Sequence, residues 1–350
     1  MFLKSLVLFS RIRARLIRNL IGFLRVRDDY VETLVGGDCI SSESFEILQK
    51  YSDSSHLVSR HPRTNLDEQM SFPQRNIITI EHIEVDTSNG ILFTAKKKVI
   101  AESTSWPKEL ILLNSIPKPL ITKHLDFSSD RQVLLLASNG FYHWLYEDLP
   151  AFLFASENSK NQITLVHENV PSFVQSFLPL IPGEIVRVPR FVSLNSLTFT
   201  SRGGTTGWLD PVDRKMLRTF FAKHIKGPIP NRKVYISRLK SSRSPSFEEE
   251  LISKLAKDGW LILETESMAV LEQIETISTA EILCGVSGAG LSGAVWLNQN
   301  AKVIELSPKR FIPAFSRMCH TSDLEYIRIG YEEPPLSLGD LLNQIQQGVK

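Results

Sequence analysis

The stretch Glu281-Ile-Leu-Cys-Gly-Val-Ser-Gly-Ala-Gly-Leu-Ser-Gly-Ala-Val-Trp296, with Lys302-Val-Ile-Glu-Leu306 just after it, decides the fold. It reads as a buried strand, a turn of small residues, a helix and a second buried strand. Such a turn offers backbone N–H groups to an anion at a helix N-terminus, where the helix dipole also favours negative charge. Phosphate is the natural guest. The pattern is neither Gly-x-Gly-x-x-Gly nor a P-loop, and small residues serve equally where a helix packs tightly on a sheet, so both readings stand.

Outward from this motif the chain is regular. Strands are expected at Val234 to Ser237, Trp260 to Leu263, Glu281 to Gly285 and Val303 to Leu306. Helices are expected between them at Phe247 to Lys257, Met268 to Ser278 and Gly290 to Leu297. Strands and helices alternating through short connections predict an α/β fold with a doubly wound parallel sheet. Ligands of such sheets bind beyond the carboxyl ends of the strands, where the Ser287 to Gly290 turn and the loop at Arg238 both fall. The final helix, Leu338 to Gln347, is expected to pack back on the first domain.

Before the linker-like Lys226-Gly-Pro-Ile-Pro-Asn231 the signals are weaker. Strand-like runs occur at Asn76 to Ile80, Gly90 to Thr94, Gln132 to Ala137, Ile163 to His167, Ile185 to Val188 and Leu197 to Thr200. Asp210, with Pro211 after it, reads as the cap and first position of a helix reaching Lys223. The organisation expected is thus a helix over residues 1–27, an N-terminal domain over 28–225, a Rossmann-like domain over 226–335 and a closing helix over 336–350.

Composition narrows the class. The 350 residues are 42% hydrophobic and 22% charged, the balance of a globular protein with a sizeable core. A net charge of +2 gives no global field to draw the molecule to nucleic acid. Cys39, Cys284 and Cys319 are far apart and show no zinc spacing, which points to a reducing compartment and no structural metal. On a helix, Lys4, Arg11, Arg15, Arg18 and Arg25 share one face, and Phe2, Leu6, Phe9, Ile12, Leu16, Ile17, Leu20, Phe23 and Leu24 cover the other. The interspersed cations forbid a membrane-spanning helix. Two placements fit: in the interface of an anionic membrane, or docked on the protein's own core.

Three clusters at strand ends carry possible chemistry. Tyr235-Ile-Ser-Arg238, continuing to Ser242-Arg243, brings two guanidinium groups beside the glycine-rich turn, and arginine forks match phosphate oxygens. An ordinary basic surface loop reads the same way. In Gly140-Phe-Tyr-His-Trp-Leu-Tyr-Glu-Asp-Leu-Pro150, His143 and Glu147 share a helical face, a platform for a general base, while Tyr146 and Asp148 point elsewhere. Aromatic residues at that spacing also serve simply as core. Glu305 ends its strand where acids of dinucleotide folds meet ribose hydroxyls, or where a salt-bridged acid stands. A rival reading makes Gly285-Val-Ser-Gly-Ala289 a nucleophile elbow with Ser287 as a hydrolase nucleophile; that needs Asp then His afterwards, and the chain offers His320 before Asp323.

With these blocks assembled, the chain resembles glycosyltransferase family 61. Its members share His-Trp-Leu-x-(Asp/Glu)-x-Leu-Pro, Tyr-Ile-Ser-Arg and a late Gly-x-His-Gly-Ala-Gly-Leu-Thr followed by Val-Ile-Glu. They stand here as His143-Trp-Leu-Tyr-Glu-Asp-Leu-Pro150, Tyr235-Ile-Ser-Arg238, Gly285-Val-Ser-Gly-Ala-Gly-Leu-Ser292 and Val303-Ile-Glu305. The resemblance implies a two-lobed GT-B-like fold and an inverting transfer of a sugar from a nucleotide-sugar donor to a glycan or other hydroxyl acceptor, with no cofactor and no obligatory metal. It implies Glu147 as base, helped or replaced by His143 or Asp148. Arg238 and Arg243, with Ser287, Gly288, Ala289 and Gly290, would hold the donor diphosphate, and Glu305 would contact the nucleotide. Ser287 replaces the family's usual histidine, Phe247-Glu248 stands where Asn-Glu is common, and Glu147 stands where many members have Asp. The resemblance, with the basic first helix, implies polysaccharide building at the cytoplasmic face of a membrane; the Ser287 departure leaves a non-catalytic sugar-nucleotide-binding module as the alternative.

Overall fold

The computed structural model describes residues 31–32, 45–51, 56–60, 67–71, 75–94, 99–100, 103, 122–127, 131–137, 140–157, 161–200, 207–241, 243–308, 313–332 and 337–349. The expected helix over residues 1–27, together with Cys39 and Ser242, lies outside them. The regular half of the sequence forms a sheet of five parallel strands in the order Leu261–Leu263, Lys233–Ile236, Ile282–Val286, Lys302–Pro308, Glu325–Tyr331. By order of appearance this is 2-1-3-4-5, so the winding reverses between the first and third strands, the point at which doubly wound sheets open a crevice.

Alternate residues of these strands feed two apolar layers. Val234, Ile236, Leu283 and Val303 face one side, and Tyr235, Ile282, Cys284, Ile304 and Leu306 the other. Every residue of Ile282–Val286 is buried, which is why the stretch reads as a continuous apolar run instead of an alternating one. Helix Glu248–Lys257 sets Glu248, Glu249 and Glu250 in its first turn and Lys254 and Lys257 in its last, matching the helix dipole. It ends at Gly259, whose φ of 79° is left-handed, letting the Trp260 N–H return to the Leu255 carbonyl at 3.0 Å.

Most expected elements appear within a residue or two of their expected ends. The strands expected at Asn76 to Ile80 and Leu197 to Thr200 are longer, Arg75–Asp86 and Phe191–Thr200, and the helix expected to reach Lys223 ends at Phe220. Three further findings differ. The helix after the glycine-rich turn is a 3₁₀-helix, Ala289–Trp296. At three residues per turn Gly290, Gly293 and Trp296 eclipse one another. A Cβ on Gly290 would stand 2.8 Å from Ile236 Cγ2, and one on Gly293 2.6 Å from Ile277 Cδ1. The tight packing of two glycines on a strand and a helix thus favours the narrower coil. Second, helix Leu338–Val349 packs on the C-terminal sheet and not back on the first domain. Its stripe of Leu341, Ile345 and Val349 joins the layer containing Ile304 and Leu306, and Gly348 lets it approach Ile304 and Ile327 closely. Third, helix Ala314–His320 and the edge strand Glu325–Tyr331 extend the alternation past the last expected strand.

The first half builds a ten-stranded mixed sheet around the antiparallel pair Arg75–Asp86 and Phe191–Thr200, with Arg131–Leu135, Gln162–His167 and Glu184–Val188 continuing in parallel. Helix Pro211–Phe220 begins as expected, with the Asp210 side chain accepting from the Val212 N–H at 2.9 Å. One apolar cluster runs without a break from Val133 and Leu135 of this sheet, through Trp144, Phe177 and Phe221, to Ile236, Leu283 and Trp296 beside the other. Among the described residues no helix is long and apolar enough to cross a membrane.

Candidate active site

Arg238 leaves the end of the first parallel strand and Ser287 the end of the third, so the two flank the winding reversal. A buried carboxylate shapes the arginine loop. Glu248 accepts from the Arg238 backbone N–H at 2.7 Å and the Tyr235 hydroxyl at 3.1 Å through Oε1, and from the Ser244 hydroxyl at 2.7 Å through Oε2. Three donors on one carboxylate fix where the chain turns, which in turn aims Arg238 back across the sheet edge. Its guanidinium donates to the Ser287 carbonyl and, through Nη2, to Ser241 Oγ at 3.3 Å. Burial pulls its pKa down, and the neighbouring charge of Arg243 adds to that pull. Among the described residues no carboxylate comes within ion-pair distance of either guanidinium, although Glu248 and Glu266 act on Arg238 from farther off. Arg238, buried, and Arg243, exposed, stand beside the switch point, and those two carboxylates offset only part of the fall in the Arg238 pKa.

The glycine-rich turn divides its labour. A Cβ on Gly288 would lie 2.5 Å from Arg238 Nη1, so Gly288 is where the arginine rests on the turn. Its φ of 162° is ordinary extended backbone, and close approach alone requires the glycine. Gly290 seats the helix on Ile236. The first backbone bond of the 3₁₀-helix runs from the Leu291 N–H to the Gly288 carbonyl at 3.0 Å, so the N–H groups of Gly288, Ala289 and Gly290 precede any partner within the helix. The Ser287 N–H is already committed to the Leu306 carbonyl at 2.8 Å.

Glu305 is fully buried instead of exposed at the strand end. The Tyr326 hydroxyl donates to Oε2 at 2.6 Å. Oε1 is sealed from solvent and meets no donor at hydrogen-bond geometry, although the Ser287 hydroxyl is near enough to lower the pKa. Burial outweighs both hydroxyls and holds the carboxyl above the usual glutamate range. Glu305 therefore presents no exposed carboxylate oxygen at the strand end. The nucleophile-elbow geometry is absent: Ser287 is not among the residues of positive φ, its hydroxyl is directed at Glu305, and His320 lines a cavity at the opposite, amino edge of the sheet.

The aromatic helix begins as Phe141–His143, widens into a π-turn over Trp144–Asp148 and resumes as Leu149–Ala155. Pro150 supplies no N–H, and the Leu149 N–H reaches back five residues to the Trp144 carbonyl. The widened turn keeps His143 and Glu147 outward, with His143 Nδ1 2.9 Å from Glu147 Oε1. That hydrogen bond raises the His143 pKa, partly opposed by burial. Trp144 and Tyr146 are core, and the Tyr146 hydroxyl donates to the Ser292 carbonyl of the 3₁₀-helix at 2.6 Å. Asp148 turns inward and lines a cavity of about 40 Å³ against the N-terminal sheet, yet its charge adds to the rise in the His143 pKa.

A cleft of about 480 Å³ joins the two halves. Ala289, Gly290 and Trp296 form one wall, Phe141, Phe173 and Phe177 another, and Thr265 and Glu266 a third. The glycine-rich turn and the first turn of the aromatic helix thus border the same space, with apolar rings on one side and polar groups on the other. Among the described residues no three His, Cys, Asp or Glu side chains meet as a metal site would need.

Sequence reasoning missed Glu248 as the anchor of the arginine loop, and Tyr146 and Tyr326 as hydroxyls that reach across elements. A Ser-x-x-x-Glu spacing before a helix was the available signal for the first. Residues 141–304 match the family model described as Glycosyltransferase 61. No curated protein matches the chain.

Proposed function

The chain belongs to the glycosyltransferase 61 family through residues 141–304, and we propose from that premise that it transfers a sugar from a nucleotide-sugar donor to a hydroxyl acceptor with inversion. The observation that carries the reading is the pair Arg238 and Arg243, unpaired by carboxylates among the described residues, at the winding reversal of a 2-1-3-4-5 sheet. As the bond from the sugar to the diphosphate breaks, negative charge grows on the leaving phosphate. The two guanidinium groups and the N–H groups of Gly288, Ala289 and Gly290 would take up that charge, which leaves no step that demands a metal.

The acceptor hydroxyl must lose a proton as it attacks. His143 Nδ1 is engaged by Glu147, which leaves Nε2 on a side chain 47% exposed and able to take that proton. Glu147 then orients the ring and stabilises the imidazolium, the division of roles found wherever a carboxylate holds a histidine base. One displacement by the activated hydroxyl inverts the anomeric centre. Glu147 as the direct base is the variant of this scheme, and Asp148 beneath them adds negative charge that favours the protonated ring.

The test is turnover against donor binding. His143→Gln should lower kcat by roughly 10²–10⁴-fold, the span of general-base catalysis, while leaving donor affinity nearly unchanged. Glu147→Gln should lower it in the same way, and Arg238→Ala should weaken donor binding itself. Full activity in both His143→Gln and Glu147→Gln would remove the base from this helix. The family, together with the basic and apolar residues 1–27, supports a role in building cell-surface polysaccharide from the cytoplasmic side of a membrane.

A further inference from the structure

A second concavity, about 680 Å³, lies at the other edge of the parallel sheet. Its floor is the pair of loops that enter the strands Lys302–Pro308 and Glu325–Tyr331, and its wall is helix Pro211–Phe220. The helix presents Arg214, Lys215 and Arg218, one turn of cations, and His320 and Asp323 face them. Three fixed positive charges meet one carboxylate. Asp323 is a weak partner: its Oδ2 is 4.0 Å from Arg214 Nη1, and its side chain is 72% exposed.

Arg214 is the informative member. Its Nε and Nη2 are sealed from solvent and make no hydrogen bond, and its side chain is only 11% exposed. Arg218 lies beside it, donating to the Val295 and Leu297 carbonyls, and the positive charge of Arg214 depresses the Arg218 pKa after burial has already lowered it. Two guanidinium groups therefore lie side by side at least partly buried, and among the described residues the one ion pair they make is the 4.0 Å contact of Arg214 with Asp323. Lys215, one residue from Arg214, is exposed and has no acidic partner among the described residues. Buried charge left so poorly compensated is rare unless a bound group completes it.

We propose that this cavity binds a phosphate-bearing ligand, at a site separate from the sugar-donor crevice. The guanidinium groups of Arg214 and Arg218 that line the cavity carry the charge phosphate oxygens seek, and Lys215 at the mouth adds a mobile point charge. The volume exceeds what one phosphate group fills, so the ligand carries its phosphate on a larger body. Two sources share that chemistry: a soluble phosphorylated molecule, or the headgroup of an anionic lipid.

The experiment compares the full chain with its Lys215→Glu variant, an exposed change that should leave the thermal midpoint unmoved. Inorganic pyrophosphate is titrated calorimetrically into both, and both are floated with phosphatidylglycerol vesicles and with phosphatidylcholine vesicles. Loss of about tenfold or more in pyrophosphate affinity on Lys215→Glu supports the proposal with a soluble source. A loss confined to phosphatidylglycerol flotation supports it with a lipid source. Unchanged pyrophosphate binding together with unchanged flotation would overturn it. Arg238→Ala serves as the control that empties the donor crevice, because pyrophosphate binding that survives it and falls on Lys215→Glu belongs to this cavity.

Discussion

Two neighbouring glycines give the sharpest test of how the turn works. In Gly288→Ala the new Cβ would sit 2.5 Å from Arg238 Nη1 and 2.7 Å from its Cζ. Carbon contacts are comfortable at roughly 3.5–4.0 Å, so the guanidinium must retreat by about 1 Å and release the Ser287 carbonyl. The backbone there is extended, so alanine adds no torsional strain and stiffens the unfolded chain slightly. Folding should weaken by only about 1 kcal/mol, the net worth of one hydrogen bond less that gain. Donor binding loses a positioned charge-assisted contact, about 1.5–3 kcal/mol, or roughly tenfold to over a hundredfold in affinity. Gly290→Ala does the reverse. Its Cβ would press at 2.8 Å on Ile236 Cγ2, a branched, stiff side chain in the core, and such overpacking costs about 1–3 kcal/mol of stability. Arg238 is untouched, and donor affinity of the folded protein should hold within about threefold. Urea unfolding and titration with a panel of nucleoside diphosphates separate the two effects. Equal affinity in Gly288→Ala and wild type, or equal losses of affinity in both variants, would refute the assignment of Gly288 to the arginine and Gly290 to packing.

The remaining predictions concern charge. His143 must be neutral to accept a proton, and its pKa lies above the ordinary 6.5 because Glu147 stabilises the charged ring, so kcat/KM should rise with pH through an apparent pKa above that value. Glu147→Gln should move that limb to lower pH, and an unmoved limb would show that the titrating group is elsewhere. The same pair stabilises the fold only below the raised pKa and is lost as pH climbs through it, a contribution of at most about 1 kcal/mol for so exposed a pair. Glu248→Ala orphans the buried Tyr235 hydroxyl and Arg238 N–H, about 1–3 kcal/mol each, and should lower the urea midpoint together with donor affinity; loss of stability with intact donor binding would detach the loop's anchor from its function.

The sequence made the second half legible because its strands are buried on both faces and its helices carry clear caps and stripes. Ile282–Val286 and the Asp210–Pro211 start are examples where local chemistry and tertiary context agree. It failed where one residue type serves two environments. Glu305 stands at a strand end, where acids often meet solvent, yet Tyr326 from the next strand and the turn at Ser287 close over it. No local pattern encodes that closure, since Tyr326 is twenty-one residues away. Glu248 was hidden for the opposite reason: three acids in succession look like an ordinary helix start, and only the bend of the arginine loop singles out the first of them. The 3₁₀ form of Ala289–Trp296 likewise depends on Ile236 and Ile277, which lie far from it in sequence.

The apolar cluster shared by the two sheets bears on how the cleft works. Phe177, Phe221 and Trp296 stand in successive edge-to-face contacts, each with ring centres 5.9 Å apart, and carry the core from one half to the other. The Tyr146 hydroxyl bond to the Ser292 carbonyl spans the same boundary. Swinging the halves apart would expose these rings, and a ring that buries 150–250 Å² at about 25 cal/mol per Å² represents roughly 4–6 kcal/mol. Three of them exceed what a bound donor returns through two arginines and a few N–H groups. The cleft of about 480 Å³ is therefore built in advance, with its glycine-rich wall and Phe141 of the aromatic helix fixed by one core. Motion on binding then falls to the side chains of the arginine loop, while Glu248 holds its backbone still and the Ser287 carbonyl keeps Arg238 aimed.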